Sequence, residues 1–163
     1  MTYIGIDNGV TGTIAILDGD TTIFVETPVF ETLGYQKSKV RHINRVDVPA
    51  LKKLLEQYNP LTTRVVIERP MINVMRFQAS ISAARSLEAT LIVLESLRFG
   101  YEYVDSGHWQ KVLLPAGVKG APNLKKASKE IGLRMFPMHE EIIKKHGDAD
   151  ALLIAEWARR RGV

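Results

Sequence analysis

Through the first 26 residues, apolar side chains come in three short β-branched runs separated by turn residues. Residues 2–7 read as a strand ending at Asp7, followed by the turn Asn8-Gly9-Val10-Thr11-Gly12. Thr13–Leu17 reads as a second strand and Thr21–Glu26 as a third. The Asp18-Gly19-Asp20 link between them is a hairpin signal, so three antiparallel strands are expected to open the fold. From Pro28 the periodicity fades. Gly34–Arg45 carries Lys37, Lys39, Arg41 and Arg45 without an acid and reads as a mobile loop. Asp47 is placed to cap a helix with Pro49 in its first turn, where a missing N–H costs nothing. Leu51, Leu54 and Leu55 mark its apolar face, and the helix is expected to end near Asn59-Pro60.

Arg64-Val65-Val66-Ile67-Glu68 is a run of the kind buried in a parallel sheet. A long helix is predicted from about Gln78 to Leu97, then a strand over Tyr101–Val104 and a short helix holding Trp109, capped by Asp105 or Ser106. Gly117–Pro122 reads as a Gly/Pro-punctuated loop. A helix bearing Lys125, Lys126, Lys129 and Arg134 follows, and Asp148–Arg161 forms the last helix. No repeat is visible. The order predicts an α/β fold, a five-stranded mixed sheet with helices on both faces.

The chain has 163 residues, 45% apolar and 25% charged, which fits one domain spanning 1–163 with an ordinary core. There is no room for a second catalytic lobe. A formal charge of +4 and a pI near 9.4 suit a polyanionic partner. The absence of cysteine removes disulfides and thiolate metal sites, so a metal would be held by oxygen or imidazole. The N-terminus lacks a signal-peptide pattern and no apolar run approaches the roughly 18 residues of a membrane span, so a soluble, cytoplasmic protein is expected, without membrane association.

Three acids fall at the ends of predicted elements: Asp7 closing the first strand, Glu68 closing the central one, and Asp150 opening the last helix. The carboxyl ends of strands are where open α/β sheets build ligand sites. Asp150 shares a helical stripe with Leu153, Ile154 and Trp157, facing the core. A single acid at such a place is ordinarily a cap or an ion-pair partner, and spacing does not bring the three together. If they converge, their repulsion calls for a cation, and hard oxygens select Mg²⁺ or Mn²⁺. Two such ions about 3.5–4 Å apart suit phosphodiester hydrolysis.

Together these residues resemble the RuvC-type Holliday junction resolvases of the RNase H-like superfamily, in their small phage branch. Gly5-Ile6-Asp7-Asn8-Gly9 matches the family's Gly-Ile-Asp-x-Gly strand end, with Asn8 where Pro is commonest. Val66-Ile67-Glu68 is similar to its second acidic strand, and Asp150-Ala151-Leu152-Leu153-Ile154-Ala155 to its C-terminal Asp-Ala-Leu-x-Ile-Ala helix. Trp109-Gln110-Lys111, Leu113-Leu114-Pro115 and Leu133-Arg134-Met135-Phe136-Pro137 resemble further segments of the phage branch. The likeness runs in order over nearly the whole chain. It implies an RNase H-like fold, two Mg²⁺ ions with Mn²⁺ able to substitute, a homodimer and cleavage of four-way junctions or other branched DNA. The bacterial pattern has a further Asp or His three residues before the last Asp, where this chain has Gly147. Asp148 is the favoured substitute, giving the set Asp7, Glu68, Asp148 and Asp150, with His146 as the alternative ligand.

Lys37, Lys39, Arg41, Arg76, Lys125, Lys126 and Lys129 are candidate DNA contacts on charge, with Tyr35 able to stack at a branch point; a solvated surface is the plain alternative. Ser80, Ser82, Ala83 and Ala84 would permit close approach of a second subunit, the plain alternative being that they let the helix pack against its own sheet. Two rival functions are a branched-nucleic-acid-binding scaffold that does not cut, and a phosphate-binding fragment of the actin-like ATPase kind. The latter needs two lobes, so no nucleotide cofactor is expected.

Overall fold

The computed structural model describes residues 1–34 and 42–162. Strands β1 (Thr2–Asp7), β2 (Thr13–Asp18) and β3 (Thr21–Glu26) form the expected antiparallel meander. β4 (Val29–Leu33) and β5 (His42–Val46) pair with each other in a separate two-stranded sheet. This corrects the loop expected to reach Arg45. Alternation is weak there because most of the ribbon's side chains stay exposed on both faces, and backbone pairing carries it.

Helix α1 (Val48–Leu55) is capped as predicted, with the Asp47 carboxylate accepting the Ala50 N–H at 3.0 Å. β6 (Thr63–Glu68) lies parallel to β1, and β7 (Tyr101–Val104) parallel to β6, with the long helix α2 (Phe77–Ser96) between them in sequence. The main sheet therefore runs β3-β2-β1-β6-β7, five strands and mixed, as expected. Helices α3 (Ser106–Leu113), α4 (Ala121–Met135), α5 (Glu140–His146) and α6 (Asp150–Arg161) complete the chain. α4 starts inside the segment expected to be loop, because Pro122 occupies its first turn.

The two-residue period of the strands divides the core. Ile4, Ile6, Ile14, Ile16, Val65 and Ile67 point to one face and pack with α1 and α2 through Leu51, Leu55, Val93 and Leu94. Ala15, Leu17, Val66 and Val104 point to the other face, under α3 to α6. Each fully buried Leu or Ile contributes roughly 1.5–3 kcal/mol relative to exposure.

On that second face α6 lies almost on the backbone of β1. A Cβ at Gly5 would stand 2.2 Å from the Ala151 carbonyl oxygen and 2.5 Å from the Ala155 nitrogen, so only glycine admits the helix at this height. All of Ala151–Ala158 is buried, rather than the single stripe expected, because α3 and α4 cover the side that faces away from the sheet. The buried Glu156 in this run is paired with Arg159 and Arg160. Among the described residues no helix is long and apolar enough to cross a membrane.

Candidate metal centre

The strand register sets the first pair of acids side by side. Ile6 is level with Ile67 in the parallel β1–β6 ladder, so the next residues, Asp7 and Glu68, emerge together on the α6 face. The two carboxyl groups stand close enough that each bears on the other's ionisation. α6 brings the third acid. Because Gly5 lets its first turn settle over β1, Asp150 reaches the same end of the sheet.

The chain between α5 and α6 supplies the rest. Gly147, at φ 98°, ends α5 in the left-handed conformation and turns the backbone so that Asp148 points inward, 2% exposed. The helix begins at Asp150, two residues later than expected, and this frees Asp148 from α6. Oxygens of Asp7 and Asp148 and a ring nitrogen of His146 all lie within 4.8 Å of one another. Asp148 and His146, the favoured and the alternative ligand, are thus both beside Asp7, 3.5 Å apart. Glu68 joins this trio through Asp7, and Asp150 through its peptide N–H, 3.4 Å from Asp148 Oδ1.

Charge in this cluster is far from balanced. Burial first, then the Glu68, Asp150 and Asp148 carboxylates, push the Asp7 carboxyl well above the ordinary range, with Lys125 opposing. Burial also raises Glu68, against the hydrogen bonds from Trp109 and Asp7 that lower it. Asp150 is pushed up to about 7 by burial and by Asp148. The cation of the group is Lys125, whose ammonium donates to Asp148 Oδ2 at 3.1 Å and is held above its usual range by that contact. Four carboxylates facing one ammonium favour divalent cation uptake, and three carboxylates within reach of Asp7 with one imidazole form a donor set suited to Mg²⁺ or Mn²⁺. The residues present fit the divalent metal that the sequence led one to expect.

Two side chains hold the acids in place, and neither carries a sequence signal for doing so. Trp109, fully buried, donates its indole N–H to Glu68 Oε1 at 3.1 Å. Ser128 of α4 makes a short hydrogen bond to Asp150 Oδ1 and accepts the Ala149 N–H at 3.1 Å. Both contacts depend on how α3 and α4 dock on α6.

Asp7 lines two open clefts that meet at it. One, of about 460 Å³, includes Glu26, Thr27, Lys125, Lys145, His146 and Asp148. The other, of about 470 Å³, includes Asn8, Glu68, Arg69, Met71 and Asp105. Of the expected DNA contacts, Lys125 is drawn into the acidic cluster. Lys126 stands 4.0 Å from Glu130 on the exposed side of α4, Lys129 is half-buried, and Arg76 is exposed just before α2. Tyr35, Lys37, Lys39 and Arg41 lie outside the described residues. Ser80 does not offer itself to a neighbour: its hydroxyl is bound to the backbone N–H and C=O of Asn73.

The five-stranded mixed sheet, with an acidic cluster where β1 and β6 end, has the RNase H-like fold. Within that class the fold is the one seen in RuvC Holliday junction resolvases. A T. thermophilus RuvC in complex with a Holliday junction substrate superposes with a TM-score of 0.61 at 15% identity, over 99% of this chain and 97% of that one. The Thermus thermophilus RuvC structure superposes with a TM-score of 0.55, at the same identity and coverage. No protein-family model and no curated protein matches the sequence.

Proposed function

We propose that this chain is a single-domain, structure-selective endodeoxyribonuclease that cleaves Holliday junctions or other branched DNA by two-metal phosphodiester hydrolysis. The observation that carries the proposal is the convergence of Asp7, Glu68, Asp148 and Asp150, with His146, into one charge-unbalanced cluster between two open clefts. A purely structural role for these acids would leave their repulsion uncompensated, which argues against the non-cutting scaffold.

In this reading Asp7, Glu68, Asp148 and Asp150 hold two Mg²⁺ ions, with His146 as a further ligand. Ions held there would supply Lewis-acid polarisation of a phosphate and a water of lowered pKa. The protein's own part is positional. The β1–β6 register fixes Asp7 against Glu68, the α6 N-terminus presents Asp150, and the Gly147 turn presents Asp148. Lys125, two-thirds exposed at the mouth of the cluster, sits where it can meet a phosphate as well as Asp148. Lys126 and Lys129 on the same helix, Arg76, and the basic segment with Lys37, Lys39 and Arg41 extend the positive surface for backbone contacts.

A homodimer presenting two such centres to opposing strands is part of the proposal. It is supported by the apolar segment leading into α2, where Met71, Ile72, Val74, Met75 and Phe77 are all exposed. A labelled four-way junction tests the whole reading. With Mg²⁺ the protein should cut it and spare the linear duplex. Asp7→Asn and Glu68→Gln should each reduce cutting by at least ~100-fold while junction binding persists. Unchanged cutting by either variant would defeat the proposal.

A further inference from the structure

Trp109 stands out among the buried side chains because its polar atom is committed to a candidate ligand. Its ring is fully buried in the core under α6, while its N–H reaches across from α3 to Glu68 Oε1 at 3.1 Å. A core indole whose only duty were packing would satisfy its N–H on a backbone carbonyl just as well. Here it occupies one oxygen of a carboxylate whose other neighbour is Asp7. Glu68 is the last residue of β6, its backbone paired with Val104 of β7, but a ladder does not fix a side chain, and several rotamers stay open to it unless something else holds it. An indole donor takes no charge from the carboxylate and, being rigid and buried, sets the plane in which the free oxygen lies.

We infer that Trp109 is a positioning residue. Its indole N–H pins Glu68 Oε1 and leaves the other oxygen directed at Asp7, so that the pair is preset for a divalent cation. This rests on the metal-centre reading above and adds to it a device that sets affinity without touching the ion. Donors of this kind around metal ligands typically carry ~10- to 100-fold in metal affinity. Ser128 of α4 stands in the corresponding relation to Asp150 of α6, but the indole contact is the one whose removal leaves an aromatic ring in place.

The test is Mg²⁺ binding by calorimetry to the whole protein without DNA, with Leu113→Ala as a control. Leu113 lies one turn along α3 in the same core and has no side-chain donor to offer Glu68. Trp109→Phe should weaken Mg²⁺ binding by ~10-fold or more, whereas Leu113→Ala should lose stability and keep its affinity. Equal binding by Trp109→Phe and wild type, or an affinity loss in Leu113→Ala that matches that of Trp109→Phe, would overturn the inference alone. A wild type that takes up no Mg²⁺ would remove the metal reading and this one with it. The indole proton signals give a second readout that needs no core variant. The chain has two tryptophans, and Trp157 packs over Arg161 at the far end of α6. The Trp109 signal should move on adding Mg²⁺ and on Glu68→Gln while that of Trp157 stays. A Trp109 signal indifferent to both overturns the inference.

Discussion

At Asp150, charge, burial and one hydroxyl meet on a single side chain. Its carboxyl titrates near 7 because burial and Asp148 penalise the anion, while Ser128 bonds to one oxygen. Asp150→Asn keeps an oxygen for Ser128 and deletes the charge. At pH 8 without metal the variant is therefore expected to melt higher than wild type, by about 1–2 kcal/mol of stability. At pH 5, where Asp150 is already protonated in the fold, the gain should shrink. Thermal denaturation at the two pH values checks this, and a variant less stable at pH 8 would refute it. The acids themselves were legible in the sequence, since Asp7, Glu68 and Asp150 sit at strand and helix ends among apolar neighbours. Trp109 and Ser128 were not, because a tryptophan in a short amphipathic helix and a serine in a basic one look like ordinary packing residues.

The decisive contact between elements is α6 on β1. Gly5 was readable as part of the Gly-Ile-Asp pattern, yet its purpose appears only when the helix is in place. Gly5→Ala would drive a methyl into the Ala151 carbonyl and the Ala155 nitrogen, backbone atoms that cannot swing aside. The expected cost is about 2–4 kcal/mol, somewhat beyond ordinary overpacking because the helix as a whole must lift. Asp150 would lift with it, so Mg²⁺ affinity should fall together with stability. Chemical denaturation and metal titration of one preparation measure both. The β4–β5 ribbon shows the opposite case. Its residues lack a continuous buried face, so alternation gave no signal; cross-strand backbone pairing defines it, joined by the His42–Glu31 contact and by Arg45 over the Phe30 ring.

Across the molecule, the raised carboxyls make stability depend on pH in a definite direction. Asp150 has its folded pKa near 7 against an ordinary 3.8, so between those values the native state holds more protons than the unfolded chain. Its contribution to stability is full below 3.8 and is lost as pH rises through about 7. Asp7 and Glu68 act in the same sense. The melting temperature of the metal-free protein is thus expected to fall from mildly acidic to mildly alkaline pH. Saturating Mg²⁺ should reverse the trend, because it binds the ionised form and stabilises the fold by mass action. A melting temperature that rises with pH in the absence of metal would contradict this account of the cluster.

The sequence by itself determined most of the strands and helices, though not the β4–β5 ribbon, since burial periodicity, caps and turn residues are local properties. It also determined that the available donors are oxygen and imidazole. Only the tertiary structure decided that Asp7, Glu68, His146, Asp148 and Asp150 share one place. That depends on the parallel register of two strands 61 residues apart, on a helix seated against a glycine and on a left-handed turn at Gly147. Convergence is a property of packing between distant segments, and no local pattern encodes it.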